Sequence, residues 1–421
     1  MVLVERHSIV GTPEIIRLCS ESKDLYNRCC FMMRQARFAG ERLPDINILI
    51  AAVKDLDCFK NLHNTKTAKQ TVRKCITDWS NFKKSLNAWF KDSSKFLAKP
   101  QPPGYKRKLA QVIFYNETIL KKPAREGIII PTNKCFSVKS DKKFQQVVIT
   151  PKRFGFVVEI SYEAEKEDKG KKAETSAQID IGVNNLCAMT EVSMSQTPGK
   201  LLRRPILVNG RIVKSFNRWF NMKPTSQRRL RKRYFRIENY FHHASKLIVQ
   251  ACLEDGIRRI IIGRNKGWKQ GIKKRMRQKD RQNFQWIPFR LLLEKIKYKA
   301  ELVGIEVRFT EEAYTSKASF LDGDPLPEYE KGKPEPEFSG KRTHRGLYVS
   351  KPNTGEGFAL NADVNGSLNV GRKVIPQLSL GTIGNRSLAA RPVRINPLKA
   401  FAHIGGIDEG RLMPQTQKST K

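Results

Sequence analysis

Four acidic residues stand where simple solubility does not explain them. In AQIDIGVNNLCAM (177–189) the apolar run Ile179, Ile181, Val183 and Leu186 reads as a buried strand, with Asp180 in its middle. An ionised carboxylate inside a sheet is costly unless an Arg, a Lys or a divalent metal lies against it. Glu311 and Glu312 end a second strand, IEVRFT, where alternation puts them on opposite faces. Asp363 lies at a helix start in NADVNGSLNVGRKV and is followed by Asn365 and Asn369. Carboxylates from separate segments meeting on one sheet are what two magnesium ions need, because hard cations take oxygen ligands. Such a pair activates water and stabilises the leaving oxygen in phosphodiester cleavage. Two of them also have a plainer explanation, whereas Asp180 is harder to dismiss. Asp363 alone suits a helix N-terminus, and one of the two glutamates is a solvated strand end.

The elements that must position these groups follow from periodicity. From Ala177 three strand candidates come quickly, AQIDIGV, NLCAMTEV and RPILVNGRIVK, the last containing an Asn-Gly turn. A long helix carries Ile237, Phe241, Ala244, Ile248 and Ala251 at helical spacing. Strand RRIIIG (258–263), a basic loop, a helix through Leu291 to Leu302 and strand IEVRFT follow, and a final helix starts near Asn361. A meander followed by helix–strand units predicts a multidomain α/β chain whose second domain, 166–376, is a mixed sheet of ribonuclease H type. Residues 377–421 are Gly-, Pro- and basic-rich without periodicity and read as a flexible basic tail.

Residues 1–165 form a separate unit, closed by the charged linker EAEKEDKGKKAE (163–174). A first strand is followed by a helical part, about 12–100, with apolar sets at Ile15, Leu18, Leu25, Cys29 and at Val72, Ile76, Trp79, Phe82, Leu86. The later strands GIIIP, QQVVIT and FGFVVEISY predict a small β-barrel into which those helices are inserted.

Lys and Arg outnumber Asp and Glu by 80 to 40, a net charge of +40. A charge that large points to a polyanion as the standing partner. Two basic stretches carry an aromatic for stacking on bases. KPQPPGYKRK (from 99) offers Tyr105 among Lys106, Arg107 and Lys108, and RNKGWKQGIKKRMRQK (264–279) offers Lys266, Trp268, Lys269 and Gln270. The plain alternative for the second is a solvated loop with Trp268 plugging the core. No run approaches the ~18 apolar residues of a membrane span, and VLVERHSIV after Met1 is not a signal peptide. The eight cysteines have no CxxC or zinc spacing, a reduced, cytoplasmic pattern. His242 and His243 are helix neighbours whose side chains diverge, so they are poor metal ligands.

IDIGVNNLCAMT, NGRIVKSFNRWFN, IENYFHHASKLIVQA, IIIGRNKGWKQ, EEAYTSKASFLDGD and NADVNGSLNVGRK together resemble the TnpB proteins of insertion sequences. Those are RNA-guided DNA endonucleases with a RuvC-type nuclease domain, relatives of the type V CRISPR effectors. The resemblance covers 177–375 densely and the PPGYKRK region more loosely. It implies a bacterial, cytoplasmic enzyme with guide RNA and target double-stranded DNA as partners, cutting beside a short adjacent motif. It makes Asp180 the first RuvC acid and Asp363 the third, over two magnesium ions, with manganese as the alternative. The N-terminal part would be a wedge β-barrel with a helical recognition lobe. Two departures stand out. Many relatives carry the second acid at the end of the strand that reads IIIG here, so Gly263 occupies its place. Glu311 or Glu312, with Glu312 preferred as the metal ligand, is the nearest substitute, a relocation resembling one branch of the family. Relatives also often have paired CxxC motifs before the third acid, whereas the insert at about 315–360 has no cysteine, so zinc is not expected. If no glutamate completes the acid set, the alternative is a guided DNA-binding repressor that does not cut.

Overall fold

The computed structural model describes residues 1–400 except 97, 168–173, 217–226, 265–281, 283, 331–333, 335, 345, 351–356 and 382. They fall into two compact units, Met1–Glu165 and Lys166 onward.

In the first unit, β1 (Val2–Ile9) leads into four helices, α1 (Pro13–Phe38), α2 (Ile46–Val53), α3 (Asp57–Lys60) and α4 (Thr65–Lys91). Thr12 caps α1 by accepting from the Ile15 N–H, and Pro13 sits in the first turn, where a missing N–H costs nothing. After the helices come β2 (Val112–Tyr115), α5 (Lys121–Arg125), β3 (Ile128–Ile129), β4 (Val138–Lys139), β5 (Phe144–Lys152) and β6 (Gly155–Glu163). Leu18, Leu25 and Cys29 of α1, Val72, Cys75 and Trp79 of α4, and Val112, Val147, Ile149 and Val158 of the sheet share one core.

The barrel expected from the sequence is not closed among the described residues. The strands form an open antiparallel sheet in the order β1-β6-β5-β2, and β3 pairs with β4 alone. Helices α1 and α4 cover its apolar face, so the sheet buries its side chains without curling on itself.

The second unit is built on one large mixed sheet. Its strands are β7 (Thr175–Ile181), β8 (Asn185–Ser193), β9 (Lys200–Leu201), β10 (Ile206–Asn209), β11 (Arg259–Gly263) and β12 (Glu306–Thr310), with helices α6 (Arg211–Ser215), α7 (Gln227–Glu254) and α8 (Phe289–Leu302) between them. The order is β12-β11-β7-β8-β10, with β9 on β8. Strands β7, β8 and β10 form an antiparallel meander, and β11 and β12 run parallel to β7 after helical crossovers. A smaller antiparallel sheet of β13 (Lys341–His344), β14 (Leu347–Ser350) and β15 (Phe358–Asn361) feeds α9 (Ala362–Arg372).

Two expectations are corrected in this unit. The segment after Asn209 is not a hairpin: Gly210 has φ −84°, right-handed and outside the left-handed region an Asn-Gly hairpin turn needs, and α6 begins at once. The fold also does not stop at 376. Helix α10 (Ile383–Ala390), strand β16 (Val393–Ile395) and helix α11 (Pro397–Ala400) follow, and β16 adds a parallel edge to β10. Burying Leu378, Leu380 and Ala389 holds this stretch down; residues 401–421 lie outside the described residues. Among the described residues no helix is long and apolar enough to cross a membrane.

Candidate functional site

Alternation along β7 decides what its side chains meet. Ala177, Ile179 and Ile181 join Ile260, Ile262, Phe241, Leu292 and Ile296 in one apolar core. Their neighbours Ser176, Gln178 and Asp180 face the other way, toward α9. Helix α9 comes close because its facing residues are small. A Cβ on Gly366 would lie 3.0 Å from Asp180 Oδ2, and one on Gly371 would lie 2.5 Å from Gln178 Cγ. Gln178 is satisfied locally, donating to Ser176 Oγ at 2.7 Å and accepting from Thr190 Oγ1 at 2.9 Å. Asp180 therefore sits where the sheet is packed but polar.

Asp363 enters from α9. Asn361 caps that helix by accepting from the Asp363 and Val364 N–H groups at 3.0 and 3.3 Å. The Asp363 carboxylate accepts from Asn185 Nδ2 at 2.6 Å and meets Arg342 Nη2 at 3.5 Å. Asn185 opens β8, and Arg342 comes from β13, so two other segments converge on this acid.

The glutamates part company. On β11, Ile262 pairs with Ile179 of β7 and with Phe309 of β12, and Gly263 pairs with Thr310 of β12. Just past β12, Glu312 folds back over Gly263. A Cβ on Gly263 would lie 2.5 Å from Glu312 Oε1 and 2.6 Å from its Cγ. The Glu312 carboxylate thus occupies the volume a side chain at 263 would fill, beside Asp180. Glu311 turns elsewhere, pairing with Lys373 and accepting from the Ala313 N–H at 2.7 Å.

The electrostatics bind Asp180, Glu312 and Asp363 together. Burial pushes the Asp180 carboxyl up to about 7, with Asp363 raising it further and Arg342 opposing. Burial pushes Glu312 up to about 8, helped by the charges of Asp180 and Glu311. Asp180 and Glu312 are thus each held in a place that disfavours a negative charge, and a cation would relieve both. The donor set is oxygen only, which suits magnesium or manganese and not zinc. In the conformation described, no three His, Cys, Asp or Glu side chains among the described residues converge closely enough to hold a metal ion. Asn185 and Arg342 engage Asp363 instead. By chemistry alone, these oxygen donors are of the kind a hard divalent cation takes.

The cysteine-free insert is tied by a carboxylate. Asp324, 5% exposed, accepts from the N–H groups of Ser319 at 2.7 Å and Ser339 at 3.0 Å, and from the Ser339 hydroxyl.

Residues 289–370 match the family described as Cas12f1-like, TNB domain. This TNB-like segment runs from α8 into α9 and contains Glu312, Arg342 and Asp363. No curated protein matches the chain. Among solved structures, the chain resembles the protein of a Cas12f1-sgRNA-target DNA complex at 12% identity, covering 85% of this chain and 82% of that one, with a TM-score of 0.45. It also resembles C2c1 of Alicyclobacillus acidoterrestris in complex with single-guide RNA, at 8% identity over 85% and 65% of the two chains, with a TM-score of 0.34.

Tyr105, Lys106, Arg107 and Lys108 are all exposed and belong to the first unit. Asn27 of α1 anchors this segment through both backbone groups of Lys106, at 2.7 and 3.0 Å. Arg34 lies over the Tyr105 ring at 5.2 Å and Lys106 over the Tyr26 ring at 4.5 Å. Lys266, Trp268, Lys269 and Gln270 lie outside the described residues. Sequence reasoning missed Asn185 and Arg342. The pair of asparagines in GVNNL and the basic hairpin KRTHRGLYVS were the only signals.

Proposed function

We propose that this protein is an RNA-guided DNA endonuclease with a ribonuclease H-type, RuvC-like nuclease domain, of the TnpB and Cas12f kind. One observation carries the reading: Glu312 fills the space above Gly263, on the face of the sheet that Val370 of Asp363's helix covers, and its carboxylate feels the charge of Asp180. The TNB-like match over 289–370 spans the same helix and glutamate.

In this reading Asp180, Glu312 and Asp363 are the residues that would hold magnesium, or manganese. Bound there, the ions would activate water and stabilise the leaving oxygen of a phosphodiester. The chain's own residues prepare that site. Gly366 lets α9 approach Asp180, Asn185 orients the Asp363 carboxylate, and Arg342 supplies positive charge beside it. Arg342 is half-exposed, so it can turn from Asp363 toward a phosphate of the bound strand. Glu311, committed to Lys373, supports the loop and is not a ligand. The net charge of +40 suits a polyanionic partner, which guide RNA and target DNA would supply. The guide reads sequence by base pairing, and the protein reads backbone, shape and the adjacent motif.

The test is to purify the protein, sequence the RNA that co-purifies, and present a plasmid library matched to that RNA with magnesium. Cleavage next to a fixed short motif supports the proposal. Guided binding without cleavage by the wild type would transfer it to a repressor of the same fold.

A further inference from the structure

Helix α9 carries more than Asp363. One stripe of its surface, Asn365, Asn369, Arg372 and Lys373, grips the segment after Glu312, and it does so through backbone atoms. Asn365 accepts from the Phe320 N–H at 3.0 Å and donates to Ala318 O at 2.8 Å. Asn369 Nδ2 donates to Thr315 O at 3.0 Å and Ala318 O at 2.8 Å. Arg372 Nη2 donates to Gly323 O at 3.1 Å and Asp324 O at 2.9 Å. Lys373 Nζ donates to Leu326 O and Pro327 O at 3.0 and 2.9 Å and pairs with Glu311. The grip reaches the backbone of Glu312, because Thr315 donates both its N–H (3.3 Å) and its hydroxyl (3.1 Å) to the Glu312 main-chain carbonyl.

Two of these side chains are unusual. Asn365 and Asn369 are both 0% exposed in the middle of a helix. Asparagine is a mediocre helix former, and a buried amide is costly unless its hydrogen bonds are made. A helix meant only to cover a sheet would place apolar residues there. These amides instead meet backbone groups of 315–320, so they set where that segment lies on α9 whatever its side chains are.

We propose that Asn365 and Asn369 are positioning residues for the carboxylate site. By registering 315–320 on α9 they fix Glu312 relative to Asp363, and cation binding depends on that relation. The proposal rests on the nuclease reading above. Neither asparagine touches a carboxylate of the set. Groups that orient metal ligands at one remove change metal affinity by about 10- to 100-fold when removed.

The experiment measures manganese binding by electron paramagnetic resonance on the full-length protein with its co-purified RNA. Wild type, Asn369→Ala and Thr315→Val are compared, with hydrogen exchange of the 312–320 peptides and thermal melting alongside. Asn369→Ala should weaken manganese binding by about 10- to 100-fold, speed exchange in 312–320, and keep RNA and cooperative melting. Raised manganese should restore its cleavage of a matched plasmid. Thr315→Val, which removes only the hydroxyl bond to Glu312 O, should shift binding the same way by less. Manganese affinity equal to wild type in both variants overturns the proposal. So does loss of RNA and cooperative melting by Asn369→Ala while Thr315→Val binds normally, since the amide is then purely structural. A wild type that binds no manganese overturns the nuclease reading and this proposal with it.

Discussion

On one side of β7 lie Ala177, Ile179 and Ile181, packed with α7 and α8; on the other lie Ser176, Gln178 and Asp180, packed under α9. The two faces belong to the same seven residues and are built by different physics. The α7/α8 side is filled by branched and aromatic bulk, such as Ile260, Ile262, Phe241 and Phe289. The α9 side uses absence of bulk. Gly366 and Gly371 let a helix backbone come near the sheet, and the polar groups under it are paired side chain to side chain. The lesson is a division of labour within one sheet: one face supplies burial energy, and the other, held in place by it, tolerates carboxylates that oppose folding.

The largest effect on function should come from the α9 face with no loss of stability. Asp180→Asn and Asp363→Asn are expected to abolish magnesium-dependent cleavage while guide binding survives. The melting midpoint of Asp180→Asn should equal or exceed wild type, because burial and the neighbouring acid already push the Asp180 carboxyl up to about 7. Plasmid cleavage and calorimetry check this together; a variant that cuts normally, or one that melts far lower, breaks the contrast. The opposite face should give the mirror result. Ile179→Ala and Ile262→Ala, both fully buried, should cost about 2–5 kcal/mol by denaturant titration. Cleavage per folded molecule should then stay near wild type.

The sequence made some of this legible and not the rest, for identifiable reasons. Asp180 was readable because a period-two pattern exposes any polar residue that interrupts it. Glu311 and Glu312 were readable only as a pair, since alternation beyond a strand's last ladder bond is set by loop geometry; here that geometry turns Glu312 over Gly263. Asn185 and Arg342 act through contacts 178 and 21 residues away in sequence from Asp363, which no local pattern encodes. Strand β16 is only Val393–Ile395, too short for periodicity, and exists because β10 offers it a parallel edge. The Asn-Gly step failed as a hairpin signal because Gly210 entered a helix instead.

Gly263 tests the boundary between the two faces, and its effect should be intermediate. Its neighbours Ile260 and Ile262 feed the apolar core, yet its own missing side chain serves the α9 face. In Gly263→Ala the new methyl would lie 2.5 Å from Glu312 Oε1 and 2.9 Å from Val370 Cγ2, so Glu312 must move. Cleavage should fall about 10- to 100-fold, with a stability loss of about 1–3 kcal/mol from overpacking. Adding Glu312→Ala to Gly263→Asp removes the clash and puts a carboxylate into the same space from β11. That double variant should recover part of the activity each single change loses. Full activity in Gly263→Ala would show that Glu312 does not need the space it occupies.

The smallest effect is expected at Glu311, and it sharpens the comparison because it separates two adjacent carboxylates. Glu311 faces Lys373, whose side chain is 7% exposed and also donates to Leu326 O and Pro327 O. Glu311→Gln keeps the shape and an acceptor for the Ala313 N–H but removes the charge opposite that lysine. Lys373 retains two carbonyl partners, and Glu311 is itself about a third exposed, so the stability loss should be within about 1 kcal/mol. Cleavage should stay close to wild type, whereas Glu312→Gln, one residue on, should cut almost nothing while folding normally. The pair is read in parallel cleavage time courses at fixed magnesium. If Glu311→Gln is the dead variant and Glu312→Gln the mild one, the carboxylate over Gly263 is a structural plug. The third ligand would then have to come from the side of the loop that faces Lys373.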